Sequence, residues 1–258
     1  MSEPSESVIT LYDIRSIHEG LAWSPNVWRV RYALNIKGIP YKTVWLDYNL
    51  ASEMKRIGVE RTTHFIFKRP SVTVPAIVDP LTGVALSDSR KIVQYLDRQY
   101  PSTPKLFPEG TLALQAAFVD TAVARLLDAI HPLVVEENTE LLRPMVREVF
   151  KKAREEWFGM PLKEVASEGE NRERLVADLF GVLDCLDGCL KANGEEAVFV
   201  LGKGCRTPSF ADVAIAGGLL WTRQIWGREN ERWVQIEKAH GGRWARLLEA
   251  CSQWEVVV

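Results

Sequence analysis

Apolar residues fall in short runs over the first hundred positions and in helical periods after that. Val8 to Tyr12 (VITLY) is an apolar run suited to a buried strand. The more polar stretch from Asp13 to Trp23 reads as a loop. Ser24-Pro25 then opens a helix, because serine is a favoured N-cap and proline suits the first helical position. Val27, Val30, Leu34 and Ile36 carry that helix, Gly38 offers a C-cap, and Pro40 blocks extension. Tyr41 to Leu46 (YKTVWL) predicts a second strand, completing a strand–helix–strand unit with a right-handed crossover. Residues 51–59 predict a short helix, and 60–70 (ERTTHFIFKRP) a loop. Two short strands, Val74 to Val78 and Val84 to Leu86, flank the turn Asp79-Pro80-Leu81-Thr82-Gly83 and predict a hairpin. Ser87-Asp88-Ser89 starts an amphipathic helix with Ile92, Val93, Tyr95 and Leu96 on its apolar side.

Pro101 to Gly110 holds three prolines and reads as a linker. Beyond it the pattern is helical, with helices predicted over about 111–135, 139–158, 172–193, 209–225, 231–239 and 242–252. Val198 to Leu201 is the exception, an alternating β-branched run. Ser209-x-x-Asp212 is a capping-box variant that starts a core helix. His131, next to Pro132, reads as a satisfied polar residue near a helix end.

The chain has 258 residues, 47% hydrophobic and 26% charged, the composition of a globular protein large enough for one big domain or two modest ones. A formal charge of -2 gives no basic field for nucleic acid or an anionic membrane. No run approaches the roughly 18 apolar residues of a membrane span. The start, MSEPSESVITLYD, lacks the pattern of a signal peptide, which predicts a cytoplasmic protein. Cys185, Cys189, Cys205 and Cys251 show neither CxxC pairing nor metal-finger spacing. They read as reduced, partly buried thiols, and no metal site is expected.

In this order, the βαβ unit, the Val-Pro hairpin, the acid–serine helix start, the proline-rich linker and the helical second half resemble the cytosolic glutathione transferases. Three motifs carry the resemblance: Ser24-Pro25-Asn26, Val74-Pro75 and Asp88-Ser89. The Ser209-to-Asp212 box is a fourth, structural match. The resemblance spans nearly the whole chain. It implies an α/β thioredoxin-like glutathione-binding domain over residues 1–100, a linker at 101–110, and an all-α domain over 111–258 that contributes the acceptor site. Within the family, SPNVWRVRYALNIKGIPYKTVWLD and the insertion between residues 47 and 73 are similar to the fungal serine-type class related to bacterial β-etherases.

A glutathione transferase must supply thiolate near neutral pH. A free thiol has a pKa of about 8.5, and lowering it by about two units takes roughly 2.7 kcal/mol. One hydroxyl donor plus the positive end of a helix is about that size. The resemblance gives this catalytic role to Ser24, with Asn26 either as a second donor to the sulfur or as the residue that orients Ser24; read locally, Ser24 is a helix cap. Thr73, Val74 and Pro75 would hold the peptide backbone of glutathione, a cis proline leaving the Val74 N–H and C=O facing outward like an added strand edge. Read locally, Val74-Pro75 is an ordinary trans X-Pro. Asp88 and Ser89 would take the γ-glutamyl end, Ser89 with the helix N–H groups on its carboxylate and Asp88 on its ammonium. Both also read as a cap. Lys55, His64, Lys68 and Arg69 are equal candidates for the glycine carboxylate.

The acceptor pocket is expected between the domains, with Ile17, His18, Trp23, Phe118, Ala122 and Arg125 as walls. Trp221 and Trp226 either close an aromatic pocket or pack the core. The resemblance implies a homodimeric detoxification enzyme with glutathione as co-substrate. It would act on hydrophobic aromatic acceptors by conjugation, ether cleavage or peroxide reduction, and double as a ligandin. The alternative is a ligandin without catalysis that carries aromatic plant or wood compounds.

Overall fold

The computed structural model describes residues 8–47, 50–59, 62–63, 70–71, 73–202, 204–205 and 207–258. Close contacts divide the chain into two units, Met1–Leu106 with Trp254–Val258, and Phe107–Gln253. The sequence reading runs the helical half to residue 258, whereas Trp254–Val258 group with the first unit.

The first unit begins with β1 (Ile9–Ile14), α1 (Pro25–Lys37), β2 (Tyr41–Leu46) and α2 (Leu50–Arg56). Two short backbone pieces, β3 (Thr62–Thr63) and β4 (Pro70–Ser71), pair antiparallel inside the segment expected to be loop. His64, Lys68 and Arg69 lie outside the described residues. β5 (Ala76–Asp79), β6 (Val84–Ser87) and α3 (Ser89–Gln99) follow. The sheet order is β2-β1-β5-β6, parallel between β1 and β2 and antiparallel elsewhere. It is the mixed sheet of a thioredoxin-like domain, as expected.

α1 packs against α3 and is buried on nearly every side. Its charges are therefore paired inside the fold. Arg31 meets Asp13 at 2.8 Å, both fully buried, and lies over the rings of Trp28, Tyr41 and Trp45. Burial pushes the Asp13 carboxyl up, and Arg31 pulls it back. Lys37 Nζ donates to Asp97 at 2.8 Å and to the Pro104 carbonyl at 2.9 Å. These bonds tie the end of α1 to α3 and to the chain beyond it. Gly38 ends α1 with φ 63°, and the N–H groups of Gly38 and Ile39 close on the Asn35 and Leu34 carbonyls. The tail returns to this region. Asn35 donates to the carbonyls of Trp254 and Val256, Tyr41 to that of Val256, and Thr43 to that of Val258.

The second unit is helical: α4 (Leu112–Phe118), α5 (Ala124–Asn138), α6 (Pro144–Phe158), α7 (Leu162–Val165), α8 (Glu170–Lys191), α9 (Phe210–Trp226) and α10 (Glu231–Cys251). α9 is its core, buried without interruption from Phe210 to Thr222, and packs on α5 and α10. At its head the Asp212 carboxylate accepts from the Ser209 N–H at 2.7 Å, the Ser209 hydroxyl at 2.6 Å and the Val200 N–H at 2.7 Å. Val198 to Leu201 consequently forms turns feeding that cap, not a strand.

Three helical predictions change. The helix expected over 111–135 contains a π-helical turn at Val119–Val123, where the Thr121 hydroxyl bonds back to the Ala117 carbonyl at 2.6 Å. It then runs through Pro132 to Asn138, so His131 sits inside a helix and not at its end. The helix expected from 139 starts instead at Pro144, after a 3-10 turn at Thr139–Leu141. In α10 the expected break is present. Ala239 is extended, and His240, Gly241 and Gly242 are left-handed with φ 53°, 64° and 79°. Asp184 and Trp244 hold His240 at this break, at 2.7 Å and 2.9 Å.

Candidate active site

Strand register gathers the three motifs. Tyr12 of β1 lies opposite Ala76 of β5, and Ala76 lies opposite Ser87 of β6. The end of β1, the start of β5 and the end of β6 therefore share one edge of the sheet. The loop to Ser24 leaves β1 there, Val74-Pro75 enters β5 there, and Asp88-Ser89 leaves β6 there.

Ser24 occupies the N-cap of α1 with extended backbone, and its carbonyl accepts from the Trp28 N–H at 3.0 Å. The residue is 7% exposed. Its hydroxyl makes no capping bond. The local reading of Ser24 as a side-chain cap therefore fails, and the hydroxyl is not spent on its own helix. The loop before it is fixed by the Trp28 indole N–H, which donates to the Ala22 carbonyl at 2.7 Å. Asn26, the second residue of α1, is half-buried. Trp23 is 5% exposed, and among the described residues its indole N–H has no acceptor.

The Val74–Pro75 peptide is cis, and the β5 ladder begins one residue later at Ala76. Val74 is buried and Thr73 half-buried. Asp88 adopts φ 78°, rare for a side chain of its kind, and its Oδ1 accepts from the N–H groups of Arg90 at 2.9 Å and Lys91 at 3.1 Å. That oxygen caps α3, which leaves Oδ2 as the atom for any ammonium. Ser89, the first residue of α3, is buried.

Lys55 is exposed on α2. Its neighbour Arg56 forms a two-pronged pair with Glu53, at 2.9 Å and 2.5 Å. Burial pushes the Tyr12 hydroxyl above its ordinary pKa, and the positive charge of Arg56 only partly offsets it. Tyr12 is thus a neutral phenol at the same edge of the sheet. In the sequence it is hidden inside an apolar strand.

The acceptor candidates divide. Ile17 is 46% exposed and His18 exposed, whereas Trp23 belongs to the core of the first unit. In the second unit Phe118 and Ala122 are half-buried and Arg125 exposed, all on or beside the π turn. Of the two tryptophans read as closing an aromatic pocket or packing the core, Trp221 borders an aromatic cluster in that unit. His131 stacks on Trp157 at 4.6 Å and Phe158 at 5.4 Å, and Trp221 lies 6.1 Å away. Trp221 donates to Asn138 Oδ1 at 3.0 Å, and the Asn138 Nδ2 is buried with no acceptor among the described residues. Burial, helped by the charge of Arg154, drives the His131 pKa down to about 3, so its ring is neutral. Arg154 lies over Phe150 and Trp157, at 4.5 Å and 5.5 Å, and burial lowers its own pKa to about 10. Trp226 is half-buried, and among the described residues its indole N–H has no acceptor.

A thioredoxin-like domain with a cis X-Pro before its third main-sheet strand, joined to a helical domain whose core helix α9 starts at an Asp-closed cap, has the glutathione transferase fold. The chain belongs to the glutathione S-transferase family. Residues 20–104 match the model of the N-terminal domain, and residues 113–254 that of the C-terminal domain. A glutathione S-transferase-like protein, ustS, of Aspergillus flavus is 29% identical over 98% of this chain and 93% of its own. The crystal structure of glutathione transferase GSTFuA3 from Phanerochaete chrysosporium superposes with a TM-score of 0.90 at 35% identity, covering 98% of this chain and 100% of that one. A glutathione S-transferase of Ceriporiopsis subvermispora, solved in complex with glutathione, gives 0.91 at 36% identity, over 97% and 99% of the two chains.

Proposed function

We propose that the chain is a serine-type glutathione transferase in which Ser24 holds the glutathione sulfur as thiolate. The observation that carries this reading is the buried Ser24 hydroxyl at the head of α1, left unused by the helix it starts. A donor there, with the helix N-terminus behind it, favours the ionised over the protonated sulfur. Asn26 is the second donor. Thr73 and the cis Val74-Pro75 take the cysteinyl backbone, and Ser89 with the first N–H groups of α3 takes the γ-glutamyl carboxylate. Asp88 Oδ2 pairs with the γ-glutamyl ammonium, and Lys55 remains the described candidate for the glycine carboxylate. The thiolate attacks an electrophilic carbon; the S–C bond forms as the leaving group departs with its electron pair. Etherase and peroxidase chemistry need the same thiolate.

Ile17, His18 and Trp23 in the first unit, and Phe118, Ala122 and Arg125 in the second, are assigned to acceptor binding. A homodimer in the cytoplasm belongs to the same reading. A ligandin role is favoured by one feature, the aromatic cluster around His131, whose flat rings and single cation suit planar aromatic compounds.

The test pairs two assays on one preparation. Conjugation of chlorodinitrobenzene with glutathione is expected, and is expected to fall ten-fold or more in Ser24→Ala. Displacement of an aromatic fluorophore, measured without glutathione, reads the ligandin role. Displacement with no conjugation of any electrophile by the native chain would replace the enzyme by the binding protein.

A further inference from the structure

α8 carries two nucleophiles that glutathione chemistry does not use. Its inner side is Val176, Leu179, Leu183, Leu186 and Leu190, all buried. Cys185 and Cys189 lie on the other side as free, exposed thiols, against the expectation of partial burial; Cys251 is buried and Cys205 intermediate. One helical turn separates Cys185 from Cys189, which sets their Cβ atoms about 5–6 Å apart. Gly181 and Gly188 share this side, and a Cβ on either would meet nothing within 4 Å. No described neighbour shields the pair there.

This geometry excludes one fate and suits another. A disulfide needs Cβ atoms about 3.5–4.5 Å apart, closer than the helix holds them. Two metal–sulfur bonds of about 2.3 Å each span up to about 4.6 Å between sulfurs, which the thiols reach by rotation about χ1. Zinc asks for four ligands. Among the described residues no group of three or more His, Cys, Asp or Glu is placed to hold a metal. Two thiolates alone therefore favour a soft cation that accepts two ligands.

We propose that Cys185 and Cys189 form a binding site for a soft, two-coordinate cation, cuprous ion. Both thiols release their protons and both sulfurs bond the metal, giving a complex of net charge -1. Glutathione plays no part in the site.

The test titrates the full chain, without glutathione and under a non-thiol reductant, with cuprous ion held by a coloured competing chelator. One cuprous ion per chain is expected, with two sulfur scatterers in X-ray absorption. Cys185→Ser and Cys189→Ser are each expected to weaken binding by about 100-fold or more, because the second thiol acts at millimolar effective concentration. Cys205→Ser should leave binding unchanged. Uptake retained by the Cys185→Ser/Cys189→Ser double variant, single variants that bind like wild type, or no uptake by the native chain would each overturn the site. Calorimetry of glutathione binding to the double variant is expected to match wild type; loss of both ligands together would overturn the independence of the two sites.

Discussion

Replacing Ser24 by alanine separates two roles that a serine at a helix start can hold. Losing a true serine cap costs about 0.5–2 kcal/mol of stability. Ser24 makes no such bond, so Ser24→Ala should leave the unfolding free energy within about 0.5 kcal/mol of wild type. Ser209 supplies the contrast. Its hydroxyl donates to the buried Asp212 at 2.6 Å, so Ser209→Ala should cost about 1–2 kcal/mol. The effect of Ser24→Ala falls on the sulfur instead. A hydrogen bond to a charged group is worth about 1.5–3 kcal/mol, which is roughly one to two pKa units of the bound thiol. Thiolate absorbance of the glutathione complex, followed against pH, should shift upward by that amount, and the pH–rate profile with it. Denaturant unfolding supplies the stability arm. An unmoved thiol pKa would refute thiol activation by Ser24, and a stability loss matching that of Ser209→Ala would return it to the role of a cap.

Arg31→Met should destabilise the fold by about 3–5 kcal/mol, because it strands a fully buried Asp13, and adding Asp13→Leu should restore much of the loss; equal costs for the single and double variants would refute a paired charge. Gly181→Ala should stabilise by about 0.5–1 kcal/mol, since the added methyl meets nothing within 4 Å. Gly218→Ala should gain less than Gly181→Ala, because its methyl arrives 3.0 Å from a Leu127 methyl that must shift, and thermal melts that rank the two the other way would refute the packing. Burial holds the Asp212 pKa up to about 6, above the roughly 3.9 of an unfolded chain. The folded state therefore binds this proton more tightly, and the contribution is full below about pH 4 and lost as pH rises through 6. The stability of wild type relative to Asp212→Asn should fall by up to about 3 kcal/mol from pH 4 to 7, whereas a flat difference would refute the shift.

Much of the fold was legible because its punctuation is local. Gly38 takes φ 63° where the pattern needs a left-handed stop, and Ser209 and Asp212 meet across one helical turn. The cis state of Val74-Pro75 was not legible in the residues themselves, since X-Pro bonds prefer trans by about 0.5–1 kcal/mol; only the family resemblance pointed to it. The unused Ser24 hydroxyl depends on a side-chain rotamer, which no spacing encodes. The π turn at Val119–Val123 adds one residue to a turn without disturbing the apolar pattern enough to be seen. The helix read as ending near residue 135 runs on to Asn138, and Ile130, Leu133 and Val134, buried on either side of Pro132, carry it through that proline. The His131 cluster joins residues from α5, α6 and α9, so its rings have no common period in the chain.

The return of the tail sets an order of manufacture. Asn35 waits for a carbonyl 219 residues further along, and Tyr41 and Thr43 wait 215. A ribosome works from the N-terminus, so the βαβ unit emerges before residues 254–258, and these side chains lack their tail acceptors until those residues are made. The portion synthesised first is thus among the last to be completed. Early termination of translation within α10 would leave the second unit's helices largely made while withholding four hydrogen bonds from the first.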